Sequence, residues 1–261
     1  MKRTNVIGGL LAGLGTAGLA LGAPAVAGAQ QTAATYTANL QPVPLNTPAG
    51  AASGNLTLVL KGNRATISES VQGLGATFDG KPFPHVQHIH GNGAGVCPTA
   101  AADTSHDGVI STPEGIPAYG SVLTTLSVKG GTTPAQATDT GIAPTGASFT
   151  YHRTITLDAA TLASIEKGTA VVVVHGLNPA NAPANALKEK SPLVPALPLA
   201  ATAPALCGTL VASQMSTVPA GAPQTGGGST AGLQDTGLLA AGGAMLLGGT
   251  GLLAYRRRRT A

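Results

Sequence analysis

Between His85 and Glu114 the chain reads HVQHIHGNGAGVCPTAAADTSHDGVISTPE, which holds four of its six histidines, one of its two cysteines and a twelve-residue acidic loop. Imidazole and carboxylate are the side chains that hold metal ions. The rest of the 261-residue chain is poor in such groups, with 9% charged and 3% aromatic residues overall, so the segment reads as a metal-binding region. Successive side chains on a strand point to opposite faces, which puts His88 and His90 on one face and His85 on the other. Two imidazoles so spaced can converge on one ion if another strand supplies a third. His175, closing the valine run Val171 to Val174, is the candidate. The same alternation also suits His88 and His90 as surface residues that bind nothing.

The last third of the segment carries a second pattern. Asp103-Thr-Ser-His-Asp-Gly-Val-Ile-Ser-Thr-Pro-Glu114 matches the EF-hand calcium loop position by position. Asp103, Ser105 and Asp107 offer side-chain oxygens, and Gly108 permits the sharp turn. Val109 offers its carbonyl, Ser111 can hold a water, and Glu114 closes the shell in bidentate fashion. Three carboxylates predict a weak site, with Kd of about 10⁻⁴ to 10⁻³ M, as in extracellular modules. Pro98 and a run of alanines precede the loop and Gly115-Ile-Pro117 follows it, so no helices are expected at its flanks. The ion would order the connection between His90 and Tyr119 as an isolated loop in a β scaffold. His106 faces outward in such a motif, and His152, beside Arg153, receives no role. The chain has no Gly-x-Ser-x-Gly, no phosphate loop and no carboxylate pair outside the acidic loop, which leaves hydrolase and nucleotide chemistry without a site.

Cys97 and Cys207 are the only cysteines, and in an exported chain a disulfide between them is expected. The order HVQHIHG, Cys97, VVVVHG and LCGTL resembles copper/zinc superoxide dismutase. That family has a His-x-His strand, a loop cysteine, a histidine after a valine-rich strand and a Cys-Gly pair in the same sequence. Together with Leu40-Gln-Pro-Val-Pro-Leu45 and the strand up to Leu60, the layout is also similar to secreted chordin-type (CHRD) domains, which share a His-Ile-His signature. The resemblance covers most of Tyr36 to Ala212. It implies a dismutase-like β fold, with His88, His90 and His175 as copper ligands and Cys97 with Cys207 as the intradomain disulfide. Two departures stand out. The residues after Cys97 lack the family's bridging and zinc histidines, and Ala203-Pro-Ala-Leu-Cys207 lacks the arginine that draws the superoxide anion to the metal.

The elements that would position these residues are mostly strands. Alternating apolar patterns bounded by Gly, Pro, Asn and Asp mark Ala34 to Leu40, Gly54 to Leu60, Ala65 to Gln72, His85 to His90, Tyr119 to Val128, Ser148 to Leu157, Ala170 to His175 and Leu206 to Ala212. Ala159 to Lys167 is the single expected helix, with Asp158 as N-cap. The fold class predicted is all-β, an antiparallel Greek-key sandwich or barrel. Pro183 to Pro204 is expected to wrap the surface as an irregular loop.

The ends of the chain set its expected compartment. Lys2 and Arg3 precede an uncharged run to Ala27, with small residues at a cleavage site after Ala29, so residues 1–29 read as a signal peptide. Residues 30–212 form the β domain, and 213–232 are a Gly/Ser/Thr/Pro stalk. Residues 233–261 are an anchor. There, Leu233-Gln-Asp-Thr236-Gly237 resembles the LPxTG sorting signal of Gram-positive surface proteins, with Gln234 where that family has proline. A twenty-residue uncharged stretch, Thr236 to Tyr255, leads into Arg256 to Arg259, long enough to cross a bilayer and held with its arginines inside. The partner expected is thus the membrane, or the cell wall through sortase. Of fourteen Lys and Arg, six lie in the leader and tail. The domain itself is near neutral and offers no basic face for nucleic acid.

The residues, with copper resting on the resemblance, lead to the expectation of a cell-surface β protein that binds copper through histidine and calcium through the acidic loop, non-catalytic or weakly redox-active. The alternatives are a copper-only superoxide dismutase of the envelope and an adhesion module without copper.

Overall fold

The computed structural model describes residues 32–213. The expected signal peptide, most of the stalk, the motif Leu233, Thr236, Gly237 and the apolar span lie outside them. Among the described residues no helix is long and apolar enough to cross a membrane.

The domain is mostly antiparallel sheet, curled as a half-barrel, with few helices. One half begins with β1 (Ala34–Pro42), β2 (Ser53–Lys61) and β3 (Arg64–Gln72), a meander in consecutive register. Each strand alternates inward and outward residues, so Leu56, Leu58, Ile67 and Val71 are buried while their neighbours face water. Two short strands follow, β4 (Thr77–Phe78) and β5 (Lys81–Pro82). They are joined by Asp79 and Gly80 at φ +50° and +74°, the Asp-Gly turn that suits a tight hairpin.

The other half is built from β6 (Gln87–Gly91), β7 (Ser121–Thr125), β9 (Val171–His175) and β10 (Pro204–Thr209), with β8 (Phe149–Thr156) returning to β3. The strand order is β7-β6-β9-β10-β1-β2-β3-β8, and a short β11 (Val211–Ala212) pairs with the start of β1. The end of β1 joins the two halves, since Gln41 and Pro42 pair with Cys207 and Leu206. Ile89, Val172, Val174 and Leu206 from one half then meet Leu56, Leu58, Ile67 and Ile155 from the other in a common core. The path leaves β7 and β8 as its two ends. Arg153 reaches across from β8, donating to Ser127 O and Oγ at 2.6 and 2.8 Å and to Gly130 O at 3.2 Å.

All eight strand segments expected from alternation contain strands, and the helix α2 (Ala159–Glu166) is where it was expected. The Asp158 side chain accepts from Thr161 N at 2.7 Å. One expectation is corrected. The acidic loop does have a helix at its exit, α1 (Thr112–Tyr119), which also takes Tyr119 out of β7. Pro at its start is compatible with a first helical turn, and Ser111 with Glu114 makes a reciprocal capping box. The glycine and proline that argued against a helix occur inside this one, at Gly115 and Pro117, with Gly120 ending it.

Candidate metal centre

Strands β6 and β9 lie side by side and both are buried along their whole length. Their inner faces enter the core. Their outer faces carry His88 and His90 on β6, opposite Val173 and Val171, and His175 at the end of β9. The ligand atoms of His88, His90 and His175 all lie within 4.8 Å of one another, so the group can hold a metal ion. Metal–nitrogen bonds of about 2.0–2.1 Å require each ring to settle inward by no more than about an ångström. Among the described residues no other set of three or more His, Cys, Asp or Glu converges so closely.

The hydrogen bonds decide which nitrogens are available. His88 Nε2 lies 3.0 Å from Ala137 O, His90 Nδ1 2.9 Å from Gly120 O, and His175 Nδ1 2.8 Å from Thr202 O. A carbonyl only accepts, so the nitrogen facing it carries the proton, and the remaining nitrogen of each neutral ring presents a lone pair. Those remaining atoms, His88 Nδ1, His90 Nε2 and His175 Nε2, are buried without a partner. A metal-bound imidazole commonly donates its other N–H to a carbonyl in this way, which fixes the tautomer and aims the ring.

Burial also keeps the rings neutral. It is the largest cause of lowering for all three, joined at His88 and His90 by the repulsion of neighbouring imidazoles. His88 falls well below its ordinary value, His90 falls to about 3 and His175 to about 4. The lone pairs are therefore not lost to protons in mildly acid solution.

Around the rings, Tyr119 packs edge-on against His90 with centroids 4.7 Å apart and donates its hydroxyl to Thr112 O at 2.8 Å. Gly120, whose carbonyl holds His90, has φ +87°, and a Cβ there would collide with the Gly91 carbonyl. The Cys97–Cys207 disulfide is present, with Cα atoms 5.7 Å apart across 110 residues. It sits among Val171, Val173, Ile110 and Tyr119 on the histidine side of the sheet, tying the loop after β6 to β10. The segment before β10 does more than wrap the surface. Leu193, Val194, Leu197 and Thr202 line a cavity of about 80 Å³ that the three histidines also border.

The other histidines stand apart. His85 is buried with Nδ1 and Nε2 each 3.0 Å from a carbonyl, those of His175 and Gly75, so it braces the strand end. His152 is exposed and bonds Ser68 Oγ at 2.9 Å. His106 is exposed at φ +59°.

In the acidic loop, Asp103 accepts from Asp107 N and Gly108 N at 3.2 and 2.9 Å, and Asp107 accepts from Val109 N at 2.8 Å. Glu114 accepts from Ser105 N at 2.9 Å and from Ser111 N and Oγ, both at 2.8 Å. Partial burial pushes the Glu114 carboxyl up, but the bonds from Ser111 and Ser105 outweigh it and bring it down to about 2. Gly108 has φ +82°, and Val109 and Ile110 are buried. Asn46, buried and absent from the sequence reading, clamps the loop by accepting from Ile110 N and donating to Ile110 O and Pro204 O.

A second group of unpartnered buried atoms lies on the core side of β6: Glu69 Oε1 and Oε2, Gln87 Oε1 and Tyr151 Oη. Burial pushes the Glu69 carboxyl up to about 8, against a smaller opposing effect of Gln87. Neither this group nor the carbonyls that orient the histidines had a sequence signal, apart from the glycine at position 120.

No protein-family model matches the chain, and no curated protein matches it in sequence.

Proposed function

We propose that this domain holds one copper ion outside the cell, through His88 Nδ1, His90 Nε2 and His175 Nε2, as a non-catalytic or weakly redox-active metal-binding protein. The observation that carries the reading is the set of three buried imidazoles, each with one nitrogen that has no partner, whose ligand atoms lie within 4.8 Å of one another. Leaving such groups unsatisfied costs free energy, and an ion removes that cost. An all-imidazole set suits copper or zinc, and divalent copper binds a given nitrogen site more strongly than zinc. The resemblance to copper/zinc superoxide dismutase and chordin-type domains supports the same three ligands. Export and anchoring by the tail rest on the leader, the LPxTG-like motif and the basic end of the sequence; the disulfide fits an oxidising compartment.

The dismutase alternative has less support. No lysine or arginine borders the cavity beside the histidines, and Arg153 is engaged at the sheet ends. The adhesion reading leaves the three orphaned nitrogens unexplained. Metal analysis after refolding with copper, followed by a superoxide assay, separates the readings. One copper per chain, lost in His175→Ala, with no superoxide turnover, is the expected result. Turnover that disappears in His175→Ala favours the dismutase, and absence of copper removes the metal reading.

The acidic loop is assigned to calcium in the same proposal, with Asp103, Ser105, Asp107, Val109, Ser111 and Glu114 as ligands. The turn at Gly108 and the buried Ile110 support this assignment, since both are features of the EF-hand pattern. Calorimetric titration of wild type against Asp103→Ala is the test. Equal heats in the two proteins remove calcium from the proposal.

A further inference from the structure

The cavity beside the three histidines has a chemistry of its own. It measures about 80 Å³, where one buried water needs roughly 10–15 Å³. Val86, Val122, Val194, Leu197 and Ala201 give its wall an apolar character, Thr138 and Thr140 stand at its exposed edge, and no Lys, Arg, Asp or Glu borders it. Leu193, 45% exposed, stands on its solvent side. The Thr112 hydroxyl on its wall is already committed, donating to Thr202 O at 2.7 Å.

From this lining we infer that the cavity is a ligand pocket of the metal centre that admits small uncharged molecules of the size of dioxygen or carbon monoxide and discriminates against anions. The inference rests on the metal reading above and deepens it. A small uncharged molecule gives up little hydration on entering an apolar space, whereas an anion must shed its water with no cation on the wall and only the hydroxyls of Thr138 and Thr140, at the exposed edge, to replace it. A cation at the mouth would supply that missing attraction and raise the local anion concentration. Leu193 is the position where one can be added without disturbing the packing, because it is half in solvent already.

The test uses the purified full chain loaded with copper, with metal content measured first. Carbon monoxide is added to the cuprous form and followed by its C–O stretching band. Azide is titrated into the cupric form and followed by its visible charge-transfer band. A single carbon monoxide complex is expected, and azide affinity in Leu193→Lys at least about tenfold above wild type. Val194→Phe, which fills the cavity, keeps its copper and loses the carbon monoxide band. Copper at one per chain with no carbon monoxide complex overturns the inference and leaves the metal reading standing. So does wild-type azide affinity equal to that of Leu193→Lys. Absence of copper overturns both.

Discussion

The histidines lie on the outer face of β6 and β9 and Glu69 on the inward face of β3, and burial acts on them with opposite consequences for stability. For His90 and His175 the folded values, about 3 and 4, lie below the ordinary 6.5 of the unfolded chain. The folded protein binds fewer protons there, so stability is fully present above pH 6.5 and declines as pH falls toward those values. For Glu69 the folded value of about 8 lies above the ordinary 4.5. The folded protein holds the extra proton, so stability is fully present below pH 4.5 and declines as pH rises through about 8. Stability in urea unfolding of the metal-free protein is therefore expected to fall below pH 6.5, where the histidines titrate in the unfolded chain, and to fall as pH rises from 6.5 to about 8, where Glu69 loses its proton in the folded one. Glu69→Gln keeps the shape and removes the decline that spans pH 4.5 to about 8, so its stability relative to wild type rises across that window. An unchanged decline between pH 6.5 and about 8 in that variant would place the titrating group elsewhere.

At the scale of elements, α1 joins the two candidate sites. Its N-terminus begins in the acidic loop, and Gly120 at its C-terminus holds His90. Glu114 serves both as the last loop position and as the capping partner of Ser111, so its two roles need separate variants. Glu114→Ala loses the cap as well as the carboxylate and is expected to cost about 1 kcal/mol without calcium. Glu114→Gln can retain the capping geometry, since glutamine also serves in a capping box. It is expected to abolish calcium heats while leaving the calcium-free melting temperature near wild type. Gly120→Ala is expected to disturb the site directly, because the added methyl meets the Gly91 carbonyl at a backbone φ that alanine avoids. Copper content in that variant falls below wild type if the Gly120 carbonyl is what aims His90.

Among the described residues the main sheet is curled, and beyond its ladders a disulfide and Arg153 tie distant parts of it together. The Cys97–Cys207 bond closes a loop of 110 residues, which in the chain-entropy model is worth about 4 to 5 kcal/mol. Reduction is thus expected to lower the unfolding midpoint and to loosen the loops over the histidines, read as a weaker copper affinity in the reduced protein. Arg153 holds the two ends of the sheet together by three hydrogen bonds to Ser127 and Gly130. Arg153→Ala is expected to cost about 1.5–3 kcal/mol in chemical unfolding, without changing copper content.

How much of this was legible depends on range. Strand alternation is set by neighbouring residues, so the eight strand segments, the separation of His85 from His88 and His90, and the Asp158 cap could be read directly. The disulfide followed from two cysteines together with a leader that reads as a signal peptide. Gly115 and Pro117 are poor helix formers and hide α1 in the sequence, although Ser111 and Glu114 form a capping box at its start. Which nitrogen of each ring is free, that Arg153 serves the sheet ends and that the wall of the cavity is uncharged were decided by the tertiary structure alone. Carbonyls at Gly120, Ala137 and Thr202 carry no identity in the sequence, yet their placement around three rings gives each imidazole its tautomer and aims its lone pair. The sequence determined which residues could hold a metal; the folding of distant loops over one face of β6 and β9 decided that they can act together.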